Sequence, residues 1–301
     1  RSGRLAALWA QRRGAVITAS AVALSVGAVV FAVREVWPRP WRLLTFDVGE
    51  GQCTLIETPD RRAVLVDAGG RGRWSPYEVA NEIVRPYLLA RGHRQVDLLL
   101  VSHPDSDHYQ VARVLLRRLP IRMALVSDRR GERGYQRFLK ALREAGTDVR
   151  MVSGDTEVRA GPLRLRILWP PPLGSAVPVP QGDNNASLVV RAEMDGITAL
   201  LPGDLETEGM DALLRAVPPS ALRADFLQLP HHGRSSAAHE AFFAAVGAAV
   251  AVSSRYGEPG VRLGDTLASR YARSITTERS GAVMVEKRGA RLQVRTYLGP
   301  R

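Results

Sequence analysis

Four side chains of metal-binding type lie within one short segment, His103-Pro-Asp105-Ser-Asp107-His108. Imidazole nitrogens and carboxylate oxygens bind zinc and manganese, and such ions activate water for hydrolysis. The segment follows residues 96–101, an apolar run typical of a buried strand, and open α/β sheets place their sites at the carboxyl ends of strands. The alternative is a solvated turn, since Pro, Ser and Asp favour turns, but a turn requires neither histidine. The segment therefore predicts a metal centre.

Three other predicted strands also end in residues of ligand type. Asp67 ends one strand before two glycines, and Asp204 follows another strand through Pro-Gly. His231 and His232 follow a third strand and precede a glycine. Each residue alone has an ordinary explanation as an N-cap, a turn residue or a surface histidine. Together they predict that strand ends gather these groups at one edge of the fold.

The chain beyond Pro38 and Pro40 alternates between predicted strands and helices, which indicates one large α/β domain with mixed sheets. The predicted strands are 43–46, 53–58, 63–67, 96–101, 123–126, 163–169, 187–192, 198–201, 226–229 and 248–253. The predicted helices are 76–90, 111–119, 134–145, 206–216 and 238–246, with a final helix and strands up to Tyr297. Ser75 and Pro76 are typical of the N-cap and first position of a helix.

The composition favours anionic partners. The chain has 301 residues, 45% of them hydrophobic, and Lys and Arg outnumber Asp and Glu by 42 to 30, for a formal charge of +12. Nucleic acid, phosphoesters and anionic membranes attract such a chain, although a general bias towards Arg and Ala would explain the charge equally well. The single cysteine, Cys53, excludes an intrachain disulfide and a thiolate-rich zinc site, and it lies in an apolar run typical of the core.

Residues 14–33 carry no charge, and about 20 such residues span a bilayer. Four arginines precede the segment, so residues 1–13 are predicted to be a basic flank on the inner side. Residues 34–41 then form a linker to a domain outside the cell membrane. A signal peptide and a buried soluble helix are the alternatives. The first residue is Arg1 and not Met, which predicts a fragment or a processed product.

The order of these motifs resembles that of the metallo-β-lactamase fold hydrolases. It is similar, more narrowly, to the extracytoplasmic domain of the DNA-internalisation competence family ComEC. The segments that carry this likeness are Phe46-Asp-Val-Gly-Glu-Gly-Gln, Leu65-Val-Asp-Ala-Gly-Gly, Val101-Ser-His-Pro-Asp-Ser-Asp-His, Asn184-Asn-Ala-Ser-Leu-Val, Leu201-Pro-Gly-Asp, Leu229-Pro-His-His-Gly-Arg-Ser-Ser and Ser254-Arg-Tyr-Gly-Glu-Pro. The resemblance implies a four-layer αββα sandwich over residues 42–298, preceded here by one transmembrane helix.

The resemblance also implies two divalent ions, zinc or manganese. His103 and Asp105 would bind one ion. Asp107, His108 and His231 would bind the other, and Asp204 would bridge them. The family's usual third-motif histidine is absent, and Asn184 or Asn185 lies near its place, which predicts a weak first site.

Other residues receive roles through the same resemblance. Asp107 is expected to be catalytic, and His232 either contacts the scissile phosphate and leaving group or packs against its turn. The residues expected around the ligands or the substrate are Asp67, Asn184, Asn185, Ser187, Arg234, Ser235 and Glu258. His93 is expected to lie at the surface.

The function that follows is a metal-dependent phosphodiesterase, a nuclease that cleaves DNA during competence-related DNA uptake by attack of an activated hydroxide on phosphorus. The expected partners are single-stranded DNA, the membrane through residues 14–33, and other parts of a DNA-uptake channel. Two alternatives stay open: a hydrolase of another ester or phosphoester, and a catalytically weak module for nucleic-acid binding or channel assembly.

Overall fold

The computed structural model describes residues 13, 16–29, 40–128, 131–257, 263–288 and 291–298. Residues 16–29 are helical with exposed side chains and belong to a unit, 1–39, that is separate from 40–301. Among the described residues, no helix combines the length and the hydropathy that crossing a membrane requires. The rest of the predicted span 14–33, most of the predicted linker and Glu258 lie outside the described residues.

Fifteen described strands build the domain. They are β1 (Arg42–Thr45), β2 (Cys53–Glu57), β3 (Ala63–Ala68), β4 (Leu98–Val101), β5 (Met123–Ser127), β6 (Asp148–Val152), β7 (Glu157–Ala160), β8 (Leu163–Trp169), β9 (Val189–Met194), β10 (Ile197–Leu201), β11 (Phe226–Gln228), β12 (Val250–Ser253), β13 (Arg273–Thr276), β14 (Val283–Arg288) and β15 (Arg291–Thr296). One sheet has the order β15-β14-β1-β2-β3-β4-β5-β6, and the other has the order β13-β12-β11-β10-β9-β8-β7.

Both sheets are mixed. In the first sheet the strands from β14 to β3 pair antiparallel, and those from β3 to β6 pair parallel. In the second sheet β7 to β10 pair antiparallel, and β10 to β13 pair parallel. The parallel strands β3 and β4 are buried along their whole length, as strands covered on both faces should be.

Helices cover the outer face of each sheet. They are α1 (residues 76–90), α2 (Ser106–Leu115), α3 (Arg133–Glu144), α4 (Thr207–Ala216), α5 (Pro219–Leu222), α6 (Glu240–Val246), α7 (Leu263–Ala268) and α8 (Thr277–Ser280). Helix α1 contains a π-helical stretch, Val79–Val84, and starts at Ser75 with the reciprocal hydrogen bonds of a capping box. The prediction of a helix that begins after Ser75 is therefore confirmed.

Three apolar cores separate four layers. The first core lies between the first sheet and α1–α3, the second lies between the two sheets, and the third lies between the second sheet and helices that include α4 and α6. Strand β4 shows the division, because Leu99 packs in the first core whereas Leu98 and Leu100 pack in the second. The predicted α/β sandwich is confirmed.

Three local predictions were wrong. Helix α2 begins at Ser106, five residues before the predicted start at 111, so Asp107 and His108 belong to its first turn. Strands β6 and β7 were not predicted, although both alternate polar and apolar residues, because both are short edge strands with mostly exposed or half-exposed side chains. His93 is buried and not at the surface.

His93 belongs to a buried network around the carboxylate of Glu57. Glu57 contacts His93 Nε2 at 2.8 Å and Arg91 Nε at 3.0 Å, and it accepts a hydrogen bond of 3.2 Å from the Tyr87 hydroxyl. Burial raises the pKa of Glu57, but the hydrogen bond from His93 and the charge of Arg91 outweigh burial and lower the pKa from 4.5 to about 2.

We expect this network to give the fold an acid-sensitive contribution to stability. A carboxyl whose folded pKa is depressed stabilises the fold above its unfolded pKa, and the contribution is lost as pH falls towards the folded pKa. Wild type should therefore exceed Glu57→Gln by roughly 2–3 kcal/mol of unfolding free energy at pH 6, and the difference should shrink between pH 4.5 and 2. Denaturant unfolding of both proteins across this range measures it, and a difference independent of pH would contradict the assignment.

Candidate metal centre

The strand ends of both sheets place the ligand-type residues together. Strands β3, β4, β10 and β11 all present their carboxyl ends at one edge of the sandwich. Asp67 lies at the end of β3, and His103 follows β4 directly. Asp204 follows β10 through a Pro-Gly turn, and the His231-His232 turn follows β11. Parallel strand direction thus brings together groups that are distant in sequence.

The first cluster consists of His103, His108 and Asp204, all buried. His108 Nε2 lies 3.2 Å from Asp204 Oδ1, and His103 Nε2 lies 4.0 Å from Asp204 Oδ2. Ligand atoms about 2.1 Å from a common ion lie up to about 4.2 Å apart, so both distances suit a shared divalent ion.

The second cluster consists of Asp107, His108 and His232, also buried. His232 Nε2 lies 3.9 Å from Asp107 Oδ2 and 3.5 Å from Asp204 Oδ2. The two clusters share His108, and one ligand atom from each residue of a cluster lies within 4.8 Å of the others. The arrangement is therefore compact enough for one ion or for two adjacent ions.

Hydrogen bonds behind the clusters fix the orientation of two imidazoles. Asp67 accepts from the Ser102 N–H at 2.7 Å, from the Ser102 hydroxyl at 2.9 Å and from His108 Nδ1 at 2.9 Å. Because a carboxylate only accepts, His108 carries its proton on Nδ1. The Ser102 oxygen, 3.0 Å from His103 Nδ1, then accepts from that nitrogen. In the neutral form of each imidazole, Nε2 therefore carries its lone pair on the side of Asp204, as metal ligation requires.

The charges in the site also fit a cation. Within the described chain, neither His103 Nε2 nor His108 Nε2 makes a hydrogen bond of standard geometry. Burial lowers the pKa of His108, but the charges of Asp204 and Asp67 raise it well above its ordinary value. Burial raises the pKa of Asp204, but His108 and His232 lower it well below its usual range. The cluster thus attracts positive charge, which a divalent ion would supply.

His231 and His232 take different places, although they are adjacent. Burial lowers the pKa of His232, and this residue belongs to the second cluster. His231 has a side chain that is 16% exposed, and its Nε2 lies 3.8 Å from Asp204 Oδ2. Its Nδ1 lies 3.1 Å from Glu206 and 3.0 Å from the Ser236 hydroxyl. The compact second cluster therefore contains His232 in the place predicted for His231.

Asp105 lies at the margin of the first cluster. Its side chain is 51% exposed, and its Oδ2 lies 3.6 Å from His103 Nε2. The interaction with His103 lowers the pKa of Asp105 despite its partial burial. Asp105 is also the residue immediately before helix α2, so a small rotation of its side chain changes its distance from the cluster.

The Asn184 region supports the site from outside the clusters. Asn185 accepts a hydrogen bond from Gly209 N at 3.0 Å and donates to Gln181 O at 2.9 Å, so its amide ties a loop to helix α4. Asn184 donates to Glu206 at 3.3 Å. Ser187 accepts from the backbone N–H of Asp204 at 3.2 Å and so holds that residue in place. None of these three belongs to either compact cluster of the described residues.

Arginines lie on the exposed side of the centre. Arg71 Nη2 lies 3.6 Å from Asp107 Oδ2, and Arg234 Nη2 lies 2.5 Å from Glu50 Oε1. Ser235 is exposed and starts the short turn after Arg234. These groups provide positive charge and hydrogen-bond donors beside an acidic cluster, which suits an anionic substrate.

Three residues of the site were not identified from the sequence. Ser102 lies between β4 and His103, and a short polar residue at a strand end was a usable signal. Glu206 also had a signal, because it lies two residues after Asp204. Arg71 had none, because only the fold brings it to Asp107.

Gly69 allows the first turn of α2 to approach β3. A Cβ at Gly69 would lie 1.8 Å from the Asp107 carbonyl oxygen, a distance that no packed atom tolerates. The same carbonyl accepts from Gln52 N at 3.2 Å. The backbone of Asp107 is thus held against the loop that contains Gly69.

We expect Gly69→Ala to lower the unfolding free energy by about 3 kcal/mol or more and to weaken metal binding, because α2 must move. A matched control is Gly134→Ala in α3, where the new Cβ would meet only the Tyr109 hydroxyl, at 3.0 Å, and no backbone atom beyond its own helix within 4 Å. That control should change stability by under about 1 kcal/mol. Denaturant unfolding and metal titration measure both variants, and equal effects would contradict the close approach.

Comparisons with known proteins agree with this geometry. A protein-family model described as the metallo-beta-lactamase superfamily matches residues 46–251. ComE operon protein 3 of Bacillus subtilis is 29% identical over 257 residues, which cover 79% of this chain and 32% of that protein. Competence protein ComA of Neisseria gonorrhoeae is 25% identical over 280 residues, which cover 90% of this chain and 36% of that protein. The chain therefore spans about a third of the length of these relatives.

A solved structure shares the fold. The metallo-beta-lactamase fold protein YhfI from Bacillus subtilis aligns with a TM-score of 0.53 and 15% identity, over 83% of this chain and all of YhfI. At this identity the likeness concerns the fold alone. The resemblance inferred from the sequence motifs is confirmed by the family model and by the named competence relative.

Proposed function

Because the chain belongs to the metallo-beta-lactamase superfamily, we propose that it is a metal-dependent phosphodiesterase that cleaves DNA. The observation that carries the proposal is the convergence of buried imidazole nitrogens on Asp204, with two lone pairs directed at one carboxylate. A buried carboxylate faced only by neutral imidazole nitrogens is costly, and a divalent ion bound between them removes that cost.

The two clusters and their margin supply the proposed ligands. His103, with Asp105 beside it, would hold one ion, and Asp107, His108 and His232 would hold the other. Asp204 would contribute to both sites, because its Oδ1 faces His108 and its Oδ2 faces His103 and His232. Zinc and manganese both accept this mixture of nitrogen and oxygen donors. Asp67 and Ser102 keep the imidazoles in the ligating tautomer.

The bound ions would supply Lewis acidity and lower the pKa of a water molecule at the site. Side chains of the protein would bind the phosphate and protonate the leaving group. Arg71 and Arg234 are placed to bind the non-bridging phosphate oxygens, since both lie on the exposed side of the clusters. His231, held through Nδ1 by Glu206, would deliver a proton from Nε2 to the leaving oxygen.

The choice of DNA rests on relatives and charge. One relative is named a competence protein, and the formal charge of +12 favours a polyanion. We propose single-stranded DNA as the substrate, attachment to the membrane through residues 14–33, and assembly with other parts of a DNA-uptake channel. The hydrolase domain would then lie outside the membrane.

A metal-dependent nuclease assay tests the function. The full chain is freed of metal, supplied with Mn²⁺ or Zn²⁺, and incubated with an end-labelled single-stranded oligonucleotide, with EDTA as the control. We expect cleavage only with metal. Stoichiometric metal with hydrolysis of other esters but intact DNA would reject the nuclease proposal. DNA binding without stoichiometric metal would reject a hydrolytic function altogether.

A further inference from the structure

An aromatic ring lies on the rim of the site, backed by a glycine. Tyr256 follows β12 and is 44% exposed. Its ring rests against Gly72, where an added Cβ would lie 2.8 Å from Tyr256 Cδ1. Gly72 has φ +94°, a conformation that favours glycine, so the backbone at this position can support the ring without a side chain between them.

The neighbouring residue, Arg71, connects this ring to the metal centre. Its guanidinium is 56% exposed and lies 3.6 Å from Asp107 Oδ2. Its backbone is fixed by two hydrogen bonds with Glu50, Arg71 N to Glu50 O at 2.7 Å and Glu50 N to Arg71 O at 3.0 Å. Adjacent Cα atoms are about 3.8 Å apart, so the residue that supports the ring and the residue that carries the guanidinium are presented side by side.

The exposure of both groups decides between a structural and a binding role. A contact of 3.6 Å between Asp107 and a largely exposed guanidinium contributes little to the stability of a fold. The planar guanidinium group of Arg71 has five N–H donors, and the contact with Asp107 uses few of them. An exposed aromatic ring beside such a donor is the combination that proteins use to bind unpaired nucleotides, with the base on the ring and the phosphate on the arginine.

We propose that Tyr256 and Arg71 form a subsite for one unpaired nucleotide next to the scissile phosphodiester. This inference rests on the proposed nuclease function and names the feature of the substrate that the site selects. The base stacks on the Tyr256 ring, and Arg71 binds the adjacent phosphate. A base within a duplex has its faces covered by neighbouring bases, so the subsite favours single strands.

The test for stacking compares substrates with and without bases. The full chain is assayed with Mn²⁺ on oligo(dT), on an abasic oligomer of the same length and on duplex DNA. Binding of labelled oligomers to the metal-free chain is measured by fluorescence anisotropy. Tyr256→Ala should weaken oligo(dT) binding and raise its KM about 10-fold, without changing the values for the abasic oligomer. Tyr256→Phe, which keeps the ring, should behave as wild type.

The test for phosphate binding uses Arg71. Arg71→Ala should weaken oligo(dT) and abasic binding by the same factor, and it should reduce the slope of log affinity against log salt by about 0.7. Arg71→Lys should restore the salt slope but only part of the affinity, because a lysine ammonium cannot make the paired hydrogen bonds that a planar guanidinium makes to phosphate.

A matched control addresses loss of structure. Tyr297 is 59% exposed and directly follows β15, the edge strand of the first sheet, which lies four strands from the strand β3 that carries Asp67. Tyr297→Ala should leave every binding value unchanged, and the thermal unfolding midpoint of Tyr256→Ala should match that of wild type.

The outcomes separate this inference from the proposed function. Oligo(dT) affinity that is unchanged in Tyr256→Ala overturns the subsite, even if wild type cleaves DNA. Equal losses on oligo(dT) and the abasic oligomer also overturn it, because stacking cannot act on an absent base. Binding that depends on Tyr256 without any cleavage supports the subsite and rejects the nuclease proposal. Wild type that neither binds nor cleaves oligo(dT) overturns both.

Discussion

Asp204→Asn should remove bound metal and reduce hydrolysis by more than about 100-fold while the fold persists. The two oxygens of Asp204 face three imidazoles from two strand ends and one helix. Asparagine keeps the size of the side chain but offers one oxygen, no charge and an N–H₂ group directed at nitrogen lone pairs. Loss of an outer hydrogen-bond partner already costs 10- to 100-fold in many metal sites, so loss of a shared ligand should cost more. Metal content by mass spectrometry and single-turnover cleavage measure the two effects.

The matched control is Asp211→Asn. Asp211 lies on helix α4, and its exposed carboxylate contacts only His239 among the ion pairs of the described residues, at 3.0 Å. It should retain full metal content and activity. Circular dichroism should show native folding in both variants. Wild-type turnover by Asp204→Asn would reject the site assignment.

The adjacent histidines should separate metal binding from proton transfer. His232→Ala should lose metal and lose activity on every phosphodiester, because His232 Nε2 lies within the second cluster. His231→Ala should retain metal, because His231 lies outside that cluster and is held by Glu206. Its cleavage of DNA should nevertheless fall about 100-fold, the usual contribution of a general acid.

The leaving group provides the control within this comparison. Bis(p-nitrophenyl) phosphate expels an anion that departs without protonation, so His231→Ala should hydrolyse it at nearly the wild-type rate. Equal losses on both substrates would contradict a role of His231 in proton transfer. Metal loss in His231→Ala with retention in His232→Ala would instead support His231 as the metal ligand, as inferred from the sequence.

The sequence predicts which strand ends carry the site, but it does not predict which of two adjacent histidines faces the cluster. Strand ends are visible as apolar runs that stop at Asp or His, and the direction of parallel strands then places them at one edge. The two histidines after β11 are different, because both have left-handed backbone conformations, with φ 45° for His231 and 54° for His232. A turn of two such residues is not encoded by propensity, so only the fold decides which imidazole points inwards.

The start of α2 was mispredicted for a related reason. The motif residues Asp107 and His108 are polar, and an apolar pattern becomes visible only from Val111. Tertiary contacts extend the helix backwards, because Tyr109 stacks on Phe138 at 5.0 Å and the Asp107 carbonyl accepts from Gln52. Arg71 likewise comes to Asp107 only through backbone pairing of its loop with Glu50. Contacts of this kind depend on the completed sandwich and leave no local pattern.

The imidazoles and carboxylates around Asp204 are expected to bind divalent ions. Anomalous diffraction from crystals grown with Mn²⁺ or Zn²⁺ tests it most directly, because the signal locates the ion and its ligands together. We expect anomalous density in contact with Asp204, shared between His103 on one side and Asp107 with His232 on the other. Crystals that contain the ion in solution but show no anomalous density among these side chains would contradict the claim.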